Sequence, residues 1–310
     1  MAMTHEQVKA VLTEVAAGLR PPRTPLLHNP AEAGLEYEDV FFPSEDGVSL
    51  EAWLIPREGS NKIIIVNHPL RFNRSGYPSH LEPWNDFCGG AACGNDFEIN
   101  FVPDLKILHD AGYNVLAYDM RNFGHSGEAN GGICSCGRFE SRDVIGSLDY
   151  VKKREDTQNM TIGLFSRCLG AVSTFWAMKR HPGAFQDVRC VVAPQPVTAE
   201  AMTSKALKSM GVDQKYMDLA DEEIRKVTSF GIKEMAVVPI MKAVKTPTLI
   251  YQVKDDVLTE PQNVQSIYDA IEIEEKKLIW VEGTTSRWKG YTYFQENPKE
   301  ILQWFAKYME

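Results

Sequence analysis

The chain has 310 residues, of which 44% are apolar, and its formal net charge at pH 7 is -9. This length and apolar content predict one large α/β domain with an insertion. Because the negative charge is spread without long runs of one sign, neither a nucleic acid nor a membrane is expected as a partner. We therefore expect a small-molecule substrate. Whether the protein forms a homodimer is left open by the sequence.

Residues 1–20 combine charged residues with short apolar spacing, which predicts an amphipathic surface helix. They lack the continuous apolar run of a signal peptide, and no transmembrane segment is visible, so the cytoplasm is the predicted location. Residues 1–34 are assigned as an N-terminal helical extension. The spacings of Cys88 with Cys93 and of Cys134 with Cys136 differ from the usual zinc sites, and no metal or cofactor is predicted.

The sheet is predicted to start with a hairpin formed by residues 35–42 and 48–55. Residues 62–67 form a short continuous apolar run, which is typical of a strand buried on both faces of a parallel sheet. Helices and strands then alternate. The predicted helices are residues 102–111, 139–153 and 169–180, and the predicted strands are residues 114–118, 161–165 and 188–193. This order predicts a doubly wound, mainly parallel sheet.

A helical insertion is predicted where the alternation of strands and helices stops. Its helices are residues 199–210, 214–227 and 232–243. Two more strands (248–253 and 277–281) and a closing helix (298–308) complete the pattern. The expected domains are therefore a core of residues 35–194 and 246–310 and a helical cap of residues 195–245.

A candidate nucleophile lies where the strand at 161–165 turns directly into the next helix. Cys168 has small residues, Ser166 and Gly170, two positions before and after it. A sharp turn that exposes its central side chain requires small residues at those positions. The N-terminus of the helix would favour thiolate over thiol. The alternative is a structural cysteine packed at a strand-to-helix junction.

Four segments in chain order resemble the α/β-hydrolase superfamily. His68-Pro69 resembles the region that builds the oxyanion hole, and residues 119–127 resemble the segment D-x-R-G-x-G-x-S. Residues 166–170 resemble the nucleophile elbow with cysteine in place of serine, as in the dienelactone-hydrolase branch. Asp256 matches the triad acid, with Asp255 beside it. The resemblance implies an α/β-hydrolase fold with a cap, with oxyanion donors at the backbone N–H groups of Leu169 and Leu70.

The triad base of that superfamily is missing. The loop expected to carry it, residues 281–291, contains no histidine, and Ser286 or its neighbours Thr285 and Arg287 occupy the expected position. A cysteine depends less on a base than a serine does, because it already ionises partly at neutral pH. Of the other histidines, His68 is the best candidate base, although the preferred interpretation is that it holds the oxyanion loop.

The expected pocket walls include Trp84, Phe123 and Trp288, which favour an apolar or aromatic substrate. Four arginines could bind a carboxylate or lie at the surface: Arg71, Arg74, Arg121 and Arg167. The predicted function is acyl transfer from an ester, lactone or thioester to Cys168 with an incomplete triad. The alternative is a non-hydrolytic enzyme that cyclises, isomerises or cleaves its substrate, or a pseudo-hydrolase that only binds a ligand.

Overall fold

The computed structural model describes residues 3–310. Its strands are β1 Glu38–Pro43, β2 Ser49–Ile55, β3 Lys62–Asn67, β4 Gly76–Tyr77, β5 Ile99–Asn100, β6 Asn114–Tyr118, β7 Thr161–Ser166, β8 Val188–Pro194, β9 Thr248–Val253 and β10 Lys276–Val281. Eight of them form one sheet in the order β1-β2-β6-β3-β7-β8-β9-β10, and β4 pairs with β5 separately. Strand β2 pairs antiparallel with β1 and β6, and the other neighbours in the large sheet are parallel.

Helices cover both faces of this sheet. They are α1 His5–Ala17, α2 Val102–Asp110, α3 Ser141–Lys153, α4 Leu169–Arg180, α5 Ala199–Ser209, α6 Met217–Thr228, α7 Pro261–Asp269, α8 Arg287–Glu296 and α9 Pro298–Tyr308. Helices α3, α4 and α7 contribute to the core on one face, and α2, α8 and α9 to the core on the other. The predicted α/β-hydrolase fold class, a mainly parallel doubly wound sheet, is confirmed.

Strand β3 shows why its sequence is continuously apolar. Ile63 and Ile65 pack into the core on one face of the sheet, while Ile64 and Val66 pack into the core on the other. Since successive side chains point to opposite faces, a strand in the middle of a doubly covered sheet needs apolar residues at every position. The carboxyl ends of the parallel strands meet at one edge, which is where sites form in this fold class.

The segment predicted as a cap contains α5, α6 and short 3₁₀ turns between β8 and β9. The single helix predicted over residues 232–243 is wrong, because the structure has two separate 3₁₀ helices, Ile232–Met235 and Val238–Ala243. Pro239 lies in the first turn of the second one, where its missing N–H is tolerated; inside a continuous helix it would remove a hydrogen bond. No helix within residues 3–310 is long and apolar enough to span a membrane.

Helix α1 packs against α6 rather than standing apart from the insertion. Val8 and Leu12 share one buried cluster with Ala220 and Ile224. The N-terminal extension and the insertion therefore have a common hydrophobic core.

The sequence prediction missed helices α7 and α8. Helix α8 begins at Arg287, six residues after the last strand ends at Val281. Part of the predicted loop 281–291 is therefore helical, which changes the direction of the side chains that follow the last strand.

Candidate active site

Cys168 occupies a strained turn between the end of β7 and the start of α4. Its φ of 49° and ψ of -105° place a non-glycine residue in a rarely populated backbone region. The Cys168 N–H donates to the Pro194 carbonyl at 2.8 Å. A Cβ atom at Gly170 would clash with the Asn67 side chain, so a small residue is required there. The local geometry has the sharp bend expected of a nucleophile elbow.

The Cys168 side chain is buried, with 3% of the residue exposed. It packs in a mainly aromatic cluster with Phe72, Trp288 and Tyr291. Cys88 packs against the same cluster, and burial raises the pKa of its thiol. The site therefore contains a second cysteine, whose position beside Cys168 was not predicted from the sequence.

Asp256 lies at the acid position predicted from the sequence, and Arg287 pairs with it. The Asp256 carboxylate accepts hydrogen bonds from Thr259 Oγ1 at 2.9 Å, from Gln252 Nε2 at 3.0 Å and from Arg287 Nη1. Both partners of the ion pair are buried. Its neighbour Asp255 is exposed. An arginine thus takes the contact that the triad base makes with the acid in the superfamily.

All three nitrogens of the Arg287 guanidinium donate hydrogen bonds. Its Nη2 donates to the Gln195 carbonyl at 2.6 Å, and its Nε donates to the Tyr291 hydroxyl at 2.9 Å. Burial by itself would lower the pKa of Arg287, but the nearby charges, Asp256 first, hold that pKa well above its usual value. The group stays protonated, so it supplies positive charge and cannot accept a proton.

Tyr291 connects Arg287 to Cys168. The Tyr291 oxygen accepts from Arg287 Nε, which leaves its own proton to be donated elsewhere. Burial raises the pKa of Tyr291 well above its usual value, Arg287 opposes the shift, and a negative charge on Cys168 would raise this pKa further. Asp256, Arg287 and Tyr291 therefore form a chain of polar contacts, and Tyr291 packs in the same cluster as Cys168.

Ser286 does not take part in this chain. Its Oγ lies 2.7 Å from the Gly94 carbonyl and 2.8 Å from Asn95 Oδ1. Ser286 immediately precedes α8, and its side chain is directed to residues 94 and 95 instead of Asp256. The sequence left Thr285, Ser286 and Arg287 as candidates for the position of the triad base, and Arg287 is the one that contacts Asp256.

His68 is also unavailable as a base. Its Nδ1 donates to the Pro69 carbonyl at 2.8 Å, and its Nε2 accepts from the Met120 N–H at 3.0 Å. Burial lowers the pKa of His68 to about 4. With both ring nitrogens bonded to the backbone, the neutral ring holds the start of the loop that continues to Leu70 and Arg71.

The two predicted oxyanion donors are free to bind a ligand. Within residues 3–310, neither the Leu169 N–H nor the Leu70 N–H donates to a protein acceptor. Leu169 is the first residue of α4, where backbone N–H groups have no partner inside the helix. Neither group is therefore committed to a hydrogen bond within residues 3–310.

The predicted pocket walls fall into two groups. Trp84 and Trp288 belong to the cluster that contains Cys168, and the Trp288 indole N–H donates to Ser79 Oγ at 2.8 Å. Phe123 lies in a different cluster and packs edge-on against the His68 ring at 5.2 Å. Phe123 therefore packs against His68, which holds the oxyanion loop, and it does not belong to the cluster that contains Cys168.

Arg167 is not positioned to bind a substrate, contrary to the sequence expectation. Its guanidinium lies between the rings of Phe101 and Phe165 and donates to Asp104 at 2.5 Å. The pair is buried. The chain gave no local sign of this partner, because Asp104 precedes Arg167 by 63 residues.

A cavity of about 170 Å³ adjoins the oxyanion loop. It is lined by Val15, Gly18, Leu19, Leu70, Arg71, Phe87, Ala199, Met202, Thr203, Ala206, Ile224 and Leu258. Phe87, Met202 and Leu258 also pack against the cluster that contains Cys168. The cavity and the cluster around Cys168 therefore share part of their walls.

The fold, the elbow and the acid after β9 together define an α/β-hydrolase. Residues 99–310 match the prolyl oligopeptidase family, and the chain belongs to that family. It is similar to an esterase of Pyrococcus furiosus, at 21% identity, with a TM-score of 0.68 and coverage of 94% of this chain and 98% of that one. A dienelactone hydrolase of Anabaena variabilis is 16% identical, with a TM-score of 0.54 and coverage of 89% and 99%. The uncharacterized protein YqkD of Bacillus subtilis is 21% identical over 215 residues, 68% of each chain.

Sequence reasoning missed Tyr291 and the polar residues around the ion pair. One signal was present, since Arg287 and Tyr291 are four residues apart and share one face of a helix. Recognising it required residues 287–296 to be interpreted as a helix. Gln195, Gln252 and Thr259 lie on or near the ends of β8 and β9, and only the sheet order brings them together.

Proposed function

We propose that this protein hydrolyses ester-type bonds through a cysteine nucleophile, with Cys168 attacking the carbonyl carbon of an ester, lactone or thioester. The observation that carries the proposal is the position of Cys168, in a strained strand-to-helix turn beside the chain Tyr291, Arg287 and Asp256. A reactive cysteine is typically found next to a cation and at a helix N-terminus. Cys168 directly precedes α4, and Arg287 contacts Tyr291, which packs in the Cys168 cluster.

The attack needs no general base in this proposal. The thiol proton passes to solvent water before the attack, and the sulfur attacks as a thiolate with the positively charged Arg287 in the same site. As the bond between sulfur and the carbonyl carbon forms, the carbonyl electron pair moves onto oxygen. The N–H groups of Leu169 and Leu70 are available to hold that oxyanion. Collapse of the intermediate expels the leaving group and produces an acyl-enzyme on Cys168.

The leaving group decides which substrates react. In a histidine triad the protonated imidazole donates a proton to the leaving group, and Arg287 cannot do so without losing a strongly held proton. Tyr291 is also a weak acid here, because its pKa is raised. Thiolates and aryl oxides depart as anions, so thioesters and aryl esters are expected to react faster than alkyl esters, and amides slowest. Water then attacks the acyl carbon, sulfur leaves, and a carboxylic acid is released.

A second candidate is cyclisation, in which a nucleophile of the same substrate, instead of water, releases the acyl group. It is favoured by one observation: both ring nitrogens of His68, the best histidine candidate, are bonded to the backbone, which leaves that group unable to deprotonate water. A long-lived acyl-enzyme would give an internal nucleophile time to react.

The test is intact-protein mass spectrometry after treatment with p-nitrophenyl hexanoate and with a hexanoyl thioester. The wild type is expected to gain one hexanoyl group, and peptide mapping should place it on Cys168. Cys168→Ala should lose the adduct and at least about 10³-fold in rate. Cys88→Ala is the matched control, because Cys88 packs against the same cluster and should be dispensable.

Cys168→Ser tests whether the thiol itself is required. A serine without a base is nearly inert, so this variant should be as inactive as Cys168→Ala. Absence of any adduct in the wild type, or an equal adduct in Cys168→Ala, would contradict the proposal. Full activity of Cys168→Ser would show that an unrecognised base serves the site.

A further inference from the structure

Arg71 has no anionic partner. Arg71 forms no ion pair within residues 3–310, and its buried Nε has no hydrogen-bond acceptor. The guanidinium carbon instead lies 4.5 Å from the centre of the Phe87 ring. An arginine held partly out of water in this way is a ready binding group for an anion.

The other three arginines that the sequence offered as carboxylate binders are all neutralised. Arg74 pairs with Asp119 and Glu51, Arg121 with Asp46 and Asp143, and Arg167 with Asp104. Of the four, Arg71 is therefore the one whose charge is available to a ligand.

Arg71 lines the cavity of about 170 Å³ beside the oxyanion loop. Apart from Arg71 and Thr203, the side chains of that wall are apolar. A cavity of about 150 Å³ accommodates a benzene molecule, so the space suits a hydrophobic group of about that size. A complementary ligand combines such a group with an anion.

The cavity borders the cluster that contains Cys168. Leu70, whose free N–H is a candidate oxyanion donor, directly precedes Arg71. Met202 and Leu258 line the cavity and pack against the cluster that contains Cys168. A ligand in the cavity therefore contacts side chains that also border the cluster around Cys168.

We propose that Arg71 and this cavity select an acyl group that carries a carboxylate on a short hydrophobic segment. The substrate would be the monothioester or monoester of a dicarboxylic acid, with the free carboxylate bound by the Arg71 guanidinium. The assignment to the acyl group rests on the proposed function, whereas the binding of a hydrophobic carboxylate does not.

Binding is measured first, by calorimetry on Cys168→Ala, which cannot turn the ligand over. The probe is 3-phenylpropanoate, and the uncharged 3-phenylpropan-1-ol is its comparison. The carboxylate is expected to bind at least about 10-fold more tightly than the alcohol, since hydrogen bonds to charged groups are the stronger ones. Adding Arg71→Met should remove that difference, and Arg71→Lys should restore part of it.

Arg138→Met is the matched control. Arg138 also stacks on a phenylalanine, with its guanidinium carbon 4.2 Å from the Phe230 ring centre, but it does not line the cavity. This variant should bind 3-phenylpropanoate as tightly as its Cys168→Ala parent. Equal affinity for the acid and the alcohol, or undiminished binding after Arg71→Met, would overturn the inference.

Turnover separates this inference from the proposed function. With p-nitrophenyl monoadipate, Arg71→Met should raise KM about 10-fold to 100-fold, and its effect on the uncharged p-nitrophenyl hexanoate should be at least about 10-fold smaller. If acyl-enzyme forms but Arg71→Met affects both esters equally, the inference fails and the proposed function stands. If no ester acylates Cys168 while 3-phenylpropanoate binding depends on Arg71, the proposed function fails and the carboxylate site stands.

Discussion

Two arginines lie beside the cluster that contains Cys168, and their surroundings differ in kind. The acid side, formed by Asp256, Arg287 and Tyr291, is buried, and the Arg287 guanidinium donates to a carboxylate, a carbonyl and a hydroxyl. The loop side, formed by Leu70, Arg71 and the adjoining cavity, leaves its cation without an anion. On the acid side the arginine charge is permanently paired within the protein. On the loop side the arginine charge is unpaired and can bind an anionic ligand.

The difference follows from the cost of desolvating charge. A buried ion is tolerated only when it is paired and hydrogen-bonded, and removing one partner of such a pair is strongly destabilising. The acid side meets that requirement within the protein. On the loop side the arginine is paired only when a ligand supplies the anion. Substitutions on the acid side should therefore lower stability far more than substitutions on the loop side.

The largest effect is expected from Arg287→Met on the acid side. This change leaves the Asp256 carboxylate buried without its cation, which should lower the free energy of unfolding by about 3–5 kcal/mol. Urea denaturation at pH 7 measures the loss. The double variant Arg287→Met with Asp256→Leu should be more stable than the single variant, because it removes the unpaired charge as well. A single-variant loss below about 1 kcal/mol would mean that the two sides do not differ.

An intermediate effect on stability, which depends on pH, is expected from His68→Gln, because His68 holds the start of the loop that continues to Leu70 and Arg71. Burial lowers the pKa of His68 from its usual 6.5 to about 4. As the pH falls below 6.5, the unfolded chain binds a proton that the folded protein excludes, so stability that is present above pH 6.5 is lost toward pH 4. This amounts to about 3 kcal/mol.

Glutamine does not titrate, so the variant should lack that part of the pH dependence. Urea denaturation of both proteins between pH 7.5 and pH 4 gives the comparison. The stability difference between wild type and His68→Gln should shrink by about 3 kcal/mol over this range. A constant difference would show that His68 does not titrate with a lowered pKa.

The smallest effect on stability is expected from Arg71→Met. Arg71 forms no ion pair within residues 3–310, and the variant loses only the stacking of the guanidinium on Phe87. Such stacking contributes about 0.5–1 kcal/mol at an exposed site. The same urea denaturation at pH 7 measures it. A loss close to that of Arg287→Met would reveal an internal anionic partner and would remove the contrast between the two sides.

The parts of the site that could be predicted are those specified by neighbouring residues. Cys168 was identifiable because Ser166 and Gly170 lie two positions away, and the clash at Gly170 shows why that spacing matters. Asp256 was identifiable because it follows a strand directly. The role of Arg287 was not, since it depends on the helix that starts at this residue and turns its side chain toward Asp256.

The sequence by itself determined the order of strands and helices, the continuous apolar character of β3 and the strained turn at Cys168, because hydrophobic periodicity and backbone sterics act over a few residues. Only the tertiary structure decided which arginine is neutralised and which is left for a ligand. Arg167 and Asp104 are 63 residues apart, and Arg287 and Asp256 are 31 apart. Pairing of buried charges is a property of positions in space, so it follows from the packing of the whole sheet and its helices.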